Sequence, residues 1–579
     1  MFPQTQSDLQ NSKFNNFDEF VKQNTQSQEK KQENNSFIRF QTYVPEPSHH
    51  FLNNLRSKPD YPQQQLNSTQ IKNEYKQQTI SKNKYDDDEQ IEEQAKQSFQ
   101  KFDLDKELIF EIKTLRKMIQ LSKTQNQYLP GIISIKTKDQ TNEQDLNRIG
   151  VDLICLIDKS SSMQGRKIDT VKSSLKVLLN FLTDQDRLSL IVFNDKAQRL
   201  TPLKRTTQNN KQYFLSIFEQ IVSTGGTSIA SSTEIAFEQL KTRKYRNNVS
   251  SIFLLSDGQD PDAIASIEQQ LKLINEELPE FTIHSFGFGE DHDAIMMTSI
   301  CNLKHGSFYF VQNINLLDEF FVEAFGGLKS VVGEKLQITV TLQPQTILKD
   351  LKIFKTYGNM WTNKGNYYEI DLPILIQGSR KDFVFELELP RTDTKIQDDQ
   401  RNPQIIDVKL QITDPISKIQ IEKRASLVLT IFQQDEQINQ NEEDEEVLTQ
   451  YNRVIAAQVI DNARKSCQQQ EYQKAQNNID NLLVRFQTNQ KFSSQNPQLI
   501  QDLQQAKQAS TRQTFNSYGQ GQMMQISSNS YKQQGVNSVF SPDGQQQQQN
   551  PRFQTFSNNL QSSMVNTLQL RKTQNQIGN

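Results

Sequence analysis

The segment Val151–Ile157 constrains the fold more than any other part of this sequence. It is apolar except for one acid and is rich in Ile, Leu and Val. Such a run is typical of a strand buried on both faces, as found in parallel α/β sheets. Gly165 follows, and then a series of apolar residues at helical spacing: Ile168, Val171, Leu175, Leu178, Leu179 and Leu182. The intervening residues Asp158–Ser162 are therefore predicted at the carboxyl end of a central strand, where open α/β sheets bind their ligands.

Residues from about 148 to 330 alternate between strand and helix patterns, which predicts one doubly wound, Rossmann-like α/β domain. The predicted strands are Val151–Ile157, Arg187–Asn194, a short edge strand Gln198–Pro202, Ser250–Ser256, Thr282–Gly287 and Ser307–Val311. The predicted helices are about Lys167–Leu182, Asn210–Ile221, Ile229–Lys241, Asp262–Glu276, Asp293–Asn302 and Leu316–Phe325. The glycines do not form a G-x-G-x-x-G pattern, so a dinucleotide cofactor is not predicted.

A different periodicity flanks this domain. Two segments before it, Leu108–Lys113 and Gly131–Lys136, are strand-like. Six segments after Gly333 alternate apolar and polar residues, as half-buried antiparallel strands do: Lys335–Leu342, Leu351–Thr356, Asn366–Leu372, Asp382–Leu389, Ile405–Ile412 and Ile419–Ile431. The simplest topology places all eight in one antiparallel β-sandwich with the α/β domain inserted into it. The expected boundaries are 105–147 and 333–435 for the sandwich and 148–332 for the inserted domain.

The rest of the chain is predicted to form a helical part and two disordered tails. Apolar stripes beginning at Val447 and ending at Phe486 predict an antiparallel helical hairpin within 440–510, with room for a third helix at Pro497–Ala509. Residues 1–104 are rich in Gln and Asn, residues 511–579 are rich in Gln, and neither tail sustains a helix or strand period. The low hydrophobic content, 34% of 579 residues, favours disorder in part of the chain.

One carboxylate and two hydroxyls lie on alternate residues after the first strand: Asp158, Ser160 and Ser162. All three supply oxygen, which suits a hard cation such as Mg²⁺. The pattern alone is weak, because Asp and Ser also begin helices as N-caps. Two further stretches strengthen it. Gly225–Ser228 opens another helix, and Ser251–Gly258 is a second buried strand that ends in an acid and a glycine.

Together these stretches resemble the von Willebrand factor A domain and its metal-ion-dependent adhesion site. The resemblance implies one metal ion held by five side chains, those of Asp158, Ser160, Ser162, Thr227 and Asp257. It implies Mg²⁺, with Mn²⁺ or Ca²⁺ as alternatives, and an open coordination position filled by an Asp or Glu carboxylate of a protein partner. From about residue 108 to 486, the chain is similar to intracellular eukaryotic A-domain proteins related to plant RING-type ubiquitin ligases.

Several other functions are excluded by the composition. The three cysteines, Cys155, Cys301 and Cys467, are too isolated to form a RING or a disulfide framework. Ser160–Ser162 lie in no G-x-S-x-G elbow, so hydrolysis is not predicted. The net charge of -3 gives no argument for nucleic acid or membrane binding. The sequence also shows neither a signal-peptide pattern nor an apolar run approaching the ~20 residues of a spanning helix.

We therefore expect a non-enzymatic, cytoplasmic scaffold or adaptor that binds a protein partner through a divalent metal. An alternative is an adaptor subunit of a ubiquitin-ligase or AAA-ATPase machine without catalysis of its own. A third hypothesis is a purely structural A domain with an empty metal site. The partner, the cellular process and the oligomeric state are left open by the sequence.

Overall fold

The computed structural model of the chain describes residues 86–87, 89–91, 102–139, 149–274, 278–289, 292–311, 314–345, 347–434, 436, 442–536 and 556–577. The disorder predicted for residues 1–104 therefore falls almost wholly outside the described residues. Two described parts of that tail contradict it: Leu104 is buried at the start of a short helix, and Asp87 is hydrogen-bonded to the α/β domain. Asp87 is buried and accepts hydrogen bonds from the backbone N of Leu203 (2.7 Å) and from Gln239 Nε2 (3.2 Å), and it also pairs with Arg199. A buried carboxylate with these partners is held in place by the α/β domain.

Three strands precede the α/β domain. They are β1 (Leu108–Thr114), β2 (Met118–Gln120) and β3 (Gln127–Thr137), and a short helix α1 (Leu104–Glu107) leads into the first. The Asp103 side chain caps this helix by accepting from the backbone N of Asp105 and Lys106. Strands β1 and β3 pair antiparallel, with Leu108 opposite Thr137.

The α/β domain alternates strands and helices as predicted. Its strands are β4 (Val151–Asp158), β5 (Arg187–Phe193), β6 (Ala197–Arg199), β7 (Lys204–Arg205), β8 (Val249–Ser256), β9 (Thr282–Phe288) and β10 (Phe308–Val311). Its helices are α2 (Arg166–Phe181), α3 (Gln208–Glu219), α4 (Ile229–Thr242), α5 (Ala263–Ile274), α6 (Ala294–Leu303) and α7 (Leu317–Lys329), with 3₁₀ turns at Ser161–Met163 and Ile314–Leu316. The strand order is β10-β9-β8-β4-β5-β6. The long strands are parallel, and the short β6 and β7 pair antiparallel with β5.

Strand β4 lies in the middle of this sheet and is buried along its whole length. Leu153, Cys155 and Ile157 pack into the apolar cluster that includes residues of α2, α3 and α7. The alternate residues Ile154 and Leu156 pack into a second cluster, with residues of α4, α5 and α6. The prediction of a strand buried on both faces is therefore confirmed. Burial of each Leu or Ile side chain contributes about 1.5–3 kcal/mol.

Eight strands follow the α/β domain. They are β11 (Val331–Leu342), β12 (Lys352–Thr356), β13 (Trp361–Asn363), β14 (Tyr368–Ile376), β15 (Arg380–Leu389), β16 (Gln404–Thr413), β17 (Gln420–Val428) and β18 (Thr430–Phe432), with a 3₁₀ turn at Asp398–Gln400. One sheet has the order β1-β3-β15-β12 and another has the order β13-β14-β11-β16-β17. A single apolar cluster contains residues of both sheets, including Ile133 and Phe385 from the first and Ile338 and Leu410 from the second. The two sheets therefore form a β-sandwich.

The first of these sheets joins strands from both sides of the α/β domain. Strand β3 pairs antiparallel with β15 over ten positions, from Gln127 opposite Leu389 to Lys136 opposite Arg380. The short β2 pairs in parallel with β18, which adds a second link between the two parts of the sequence. The α/β domain is thus inserted into the sandwich, as the alternating pattern predicted.

Helices complete the described chain after residue 442. They are α8 (Glu445–Gln468), α9 (Tyr472–Thr488), α10 (Gln490–Gln495), α11 (Pro497–Ala509), α12 (Arg512–Thr514), a π-helical turn at Phe515–Gly519, α13 (Gln520–Lys532) and α14 (Asn559–Ile577). Helices α8 and α9 pack against each other through a shared cluster that includes Ile460 and Ile479, which is the predicted hairpin. Among the described residues, none of these helices, nor any other, combines the length and apolar character needed to cross a membrane.

The prediction of a disordered tail over 511–579 is wrong for two segments of it. Met523 and Ile526 of α13 join the core of the helical hairpin, and Met564, Val565 and Leu568 of α14 join the core of the α/β domain. Gln is a good helix former, so a Gln-rich segment becomes helical when a few of its apolar side chains pack against the rest of the fold. The run of glutamines at 545–549 lies outside the described residues.

Candidate metal centre

Asp158 is the last residue of β4 and is completely buried. Its Oδ1 accepts a hydrogen bond from the backbone N of Ser160 (2.7 Å), and its Oδ2 accepts one from Ser256 Oγ (2.5 Å). Burial raises the pKa of Asp158 above its ordinary value, while the hydrogen bonds from Ser256 and Ser160 act in the opposite direction. Among the described residues, no cationic side chain forms an ion pair with this carboxylate.

The acid at the other end of the same strand provides a contrast. Asp152 is also fully buried, but Arg187 donates to both of its oxygens (2.8 and 2.6 Å) and Arg243 donates to one of them (2.5 Å). Two guanidinium groups thus compensate its charge, as buried carboxylates generally require. Asp158 has hydroxyl and amide partners instead, and these do not supply a positive charge.

The two serine hydroxyls connect Asp158 to the second acid of the site. Ser160 Oγ and Ser162 Oγ lie 2.9 Å apart, and Ser162 Oγ donates to Asp257 Oδ1 at 2.8 Å. Ser160 is buried, whereas Ser162 lies in the exposed 3₁₀ turn that follows. Asp257 comes immediately after β8, the neighbour of β4 in the sheet, and its carboxyl group is inaccessible to solvent. The parallel pairing of β4 with β8 therefore brings these oxygens to one edge of the sheet.

Thr227 reaches the same place from the loop before α4. A Cβ added to Gly258 would lie 2.6 Å from Thr227 Oγ1, so the threonine side chain packs directly against the residue after Asp257. Thr227 is half-buried, and its hydroxyl has no hydrogen-bond partner among the described residues. This hydroxyl is therefore available as a ligand. All five side chains singled out in the sequence lie at the carboxyl edge of the sheet, Asp158 as the last residue of β4 and the other four on the loops.

Backbone hydrogen bonds hold the threonine loop against the serine loop. The backbone N of Ser161 donates to the carbonyl of Gly225 (2.9 Å), and the backbone N of Thr224 donates to the carbonyl of Lys159 (2.7 Å). Asp195 accepts from the backbone N of Gly226 at 3.0 Å. Gly225 adopts a φ of 80°, a left-handed conformation that favours glycine.

Sequence reasoning missed three side chains that shape this site. Ser256 binds Asp158, Asp195 positions the glycine loop, and the Lys167 ammonium group forms an ion pair with Asp257 Oδ2. Two of them carry a signal that could have been used. Asp195 lies just beyond the end of strand β5, and Ser256 directly precedes Asp257. Lys167 sits in the first turn of α2, where no pattern marks it.

The donor set fits a hard divalent cation. It consists of two carboxylates and three hydroxyls, all oxygen, and one buried carboxylate lacks a cationic partner. No group of three or more His, Cys, Asp or Glu side chains in the described part of the chain could hold a metal ion. A metal at this edge would therefore depend on the hydroxyls of Ser160, Ser162 and Thr227 as well as on the acids.

Comparison with known proteins adds three findings on sequence. A family model for the von Willebrand factor type A domain matches residues 152–323. The Arabidopsis thaliana protein named E3 ubiquitin-protein ligase WAV3 is 26% identical over 275 residues, which is 46% of this chain and 34% of the plant protein. The Synechocystis protein named Uncharacterized protein sll0103 is 26% identical over 205 residues, 35% of this chain and 48% of that protein. The chain thus spans between a third and a half of these relatives.

A solved structure shares the fold over a larger part of the chain. It is described as von Willebrand factor type A from Catenulispora acidiphila, and it covers 75% of this chain and 97% of its own, with a TM-score of 0.54 and 13% sequence identity. At this identity the likeness concerns the fold alone.

Proposed function

The chain contains a von Willebrand factor type A domain, and from this premise we propose that it binds a protein partner through a divalent metal ion. The proposed ligands are the three hydroxyls of Ser160, Ser162 and Thr227 and, directly or through water, the carboxylates of Asp158 and Asp257. The sandwich and the helices serve as the scaffold. The proposed metal is Mg²⁺, which suits an all-oxygen donor set; Mn²⁺ or Ca²⁺ would use the same atoms.

The observation that carries this proposal is the buried Asp158 carboxylate. An ionised carboxylate removed from water is costly unless a positive charge compensates it. At Asp152 the chain supplies two guanidinium groups for this purpose, and at Asp158 it supplies none among the described residues. A cation from solution would fill that role, and the adjacent hydroxyls provide the neutral ligands that complete its coordination.

A site with neutral hydroxyl ligands favours an acidic partner. When bound, the metal supplies a positive charge and a coordination position that an Asp or Glu carboxylate can fill. Two basic residues flank the three serines: Lys159 precedes them in the loop, and Arg166 begins α2 after them. Arg166 donates to the side-chain oxygen of Asn315 at 3.2 Å. These charges add attraction for an incoming carboxylate and speed its encounter.

A second candidate function is supported by the relatives. Two Arabidopsis thaliana proteins that match this chain are named E3 ubiquitin-protein ligases, WAV3 and WAVH1, which favours an adaptor role in ubiquitin transfer. The chain itself has three cysteines, all buried and remote from one another in sequence. They cannot form the Cys/His zinc site of a RING, so we propose no catalytic step for this chain.

Titration of the full chain with Mg²⁺ by isothermal calorimetry tests the metal site. Wild type should bind one Mg²⁺, and Asp158→Ala and Thr227→Ala should each lose most of the affinity. Asp169→Ala is a matched control, because Asp169 is an exposed acid in the first turn of α2 and lies outside the site. Equal affinity in wild type and Asp158→Ala would refute the assignment. Capture of partners with and without EDTA then tests whether binding requires the metal.

A further inference from the structure

Lys167 places a fixed positive charge on one of the proposed metal ligands. Its ammonium group contacts Asp257 Oδ2, while the other oxygen of that carboxylate accepts from Ser162 Oγ at 2.8 Å. The Asp257 side chain is inaccessible to solvent, whereas the Lys167 side chain is 31% exposed. The ammonium group therefore lies on the solvent side of the carboxylate.

This arrangement gives Asp257 Oδ2 two possible cations. A divalent ion held by the hydroxyls of Ser160 and Ser162 would interact with the same carboxylate, either directly or through a water molecule. Two positive charges on one carboxylate oxygen repel each other, and the repulsion is strong where water is largely excluded. The lysine and the metal therefore compete.

We propose that Lys167 is a built-in competitor that lowers the affinity of the site for divalent metal and is displaced when metal binds. The inference rests on the proposed function and concerns its regulation. Without metal, the ion pair with Lys167 compensates the negative charge of Asp257, so the metal-free site has a defined structure of its own. Metal binding then becomes an exchange of one cation for another, and the site is occupied only when the metal concentration is sufficient to displace the lysine.

The surroundings of Lys167 allow such an exchange. Its ammonium group lies beside Gly289, where an added Cβ would be 3.4 Å from Nζ, so the turn after β9 has no side chain in that space. A lysine has a flexible four-carbon stem and a compact charge, and one that is partly exposed can turn into solvent without breaking the fold. The residue lies in the first turn of α2, and a rotation of its side chain does not require the helix to move.

Lys167→Met tests the competition, because methionine keeps much of the stem and removes the charge. In calorimetric titrations with Mg²⁺ alone, we expect the variant to bind about fivefold more tightly than wild type, the order expected when the metal no longer has to break a partly exposed ion pair. Lys167→Arg keeps the charge and should remain close to wild type. Lys172→Met, on the same helix but directed toward the Glu219 carbonyl (3.4 Å), is the control and should have no effect.

Thermal melting provides a second readout, and its Mg²⁺-dependent shift is the part that a merely structural role would not produce. In EDTA, Lys167→Met should melt below wild type, because Asp257 loses its cation. Saturating Mg²⁺ should raise the melting temperature of the variant by more than that of wild type, since tighter binding stabilises the folded state further. If the methionine variant fails to fold, Lys167→Gln removes the same charge and is read in the same way.

The outcomes separate this inference from the proposed function. Tighter Mg²⁺ binding by Lys167→Met, or binding by the variant alone, supports both. Equal or weaker binding by the variant, with clear binding by wild type, overturns the competition and leaves the metal site standing. Absence of Mg²⁺ binding in wild type and in both neutral variants overturns the metal site and the competition together.

Discussion

The carboxyl group of Glu323 should make the stability of this protein decrease as the pH rises through neutrality. Glu323 lies in α7 and is 1% exposed. The hydroxyl of Tyr309 donates to its Oε2 (2.6 Å), and the side chain of Gln561, from α14, donates to its Oε1 (2.7 Å). Burial raises the pKa of Glu323 to about 7, while the hydrogen bonds from Tyr309 and Ser557 counteract part of the effect.

The size of the effect follows from the difference between folded and unfolded pKa values. An unfolded glutamate titrates at about 4.3. The folded value is higher, so the stability that the protonated group provides is complete below the unfolded value and is lost as the pH rises through about 7. Between the two pKa values, the free energy of unfolding falls by about 1.4 kcal/mol for each pH unit. Roughly 2–3 kcal/mol of stability should therefore be lost between about pH 5 and pH 8.

Glu323→Gln removes the titration and keeps the size of the side chain. We expect urea denaturation, followed by far-UV circular dichroism, to show that the variant gains about 2–3 kcal/mol relative to wild type between about pH 5 and pH 8. Glu238→Gln, an exposed position on α4, controls for the loss of a charge. A wild type and a Glu323→Gln variant that depend equally on pH would refute the argument that this carboxyl is protonated in the folded protein.

Three further predictions concern the packing of α14, the proposed metal site and the pairing of β3 with β15. Leu568→Ala in α14 should cost about 2–5 kcal/mol and increase amide exchange in α7; unchanged exchange would mean that α14 does not cover that helix. Gly258→Ala should weaken Mg²⁺ binding at least tenfold in calorimetry, because a Cβ there lies 2.6 Å from Thr227 Oγ1, and an unaffected affinity would argue against Thr227 as a ligand. A chain that begins at Gly150 should aggregate, because β15 then loses the strand that it pairs with over ten positions, whereas one that begins at residue 102 should stay soluble; equal solubility of the two would contradict the pairing.

Much of the fold was predictable because its periodicities are local. In β4 every residue is buried, and a run of apolar residues signals this directly. In β16 the buried and partly exposed residues alternate, which signals a sheet with one face covered. The insertion of one domain into the other followed from the position of these patterns along the chain. Pairing partners, such as β2 with β18, were not predictable because no local pattern encodes them.

The two C-terminal helices were missed because their stability comes from distant parts of the chain. The Lys532 ammonium group, at the end of α13, donates to the carbonyl of Gly306 (2.7 Å) in the α/β domain. Lys381 of β15 donates in turn to the carbonyl of Lys532 (2.6 Å). Burial lowers the pKa of both lysines, and for Lys381 the value falls to about 7. A sequence rich in Gln, Asn and Ser does not indicate such contacts, which exist only once the sandwich and the α/β domain have formed.

The candidate site was predictable in part for a chemical reason. A metal ion needs particular residue types at particular strand ends, so the positions of Asp158 and Asp257 and the resemblance to the A domain together predicted them as candidate ligands. The residues that tune the site are under no such restriction. A lysine that pairs with Asp257 needs only to be long enough to reach it. Lys167 does so although it lies ten residues after Ile157, the end of the buried run Val151–Ile157. Contacts of this kind depend on how the loops fold.

The inserted topology also explains why the site lies where it does. The chain enters the α/β domain at Ile149 and leaves it after Lys329, and the ammonium group of Lys329 donates to the carbonyl of Ile149 (2.8 Å), so the two connections are adjacent. Both lie at the amino end of β4, while Asp158 is at its carboxyl end. Eight residues of strand span about 23 Å. The two connections to the sandwich therefore lie at one edge of the sheet, and the loops with the proposed metal ligands lie at the opposite edge.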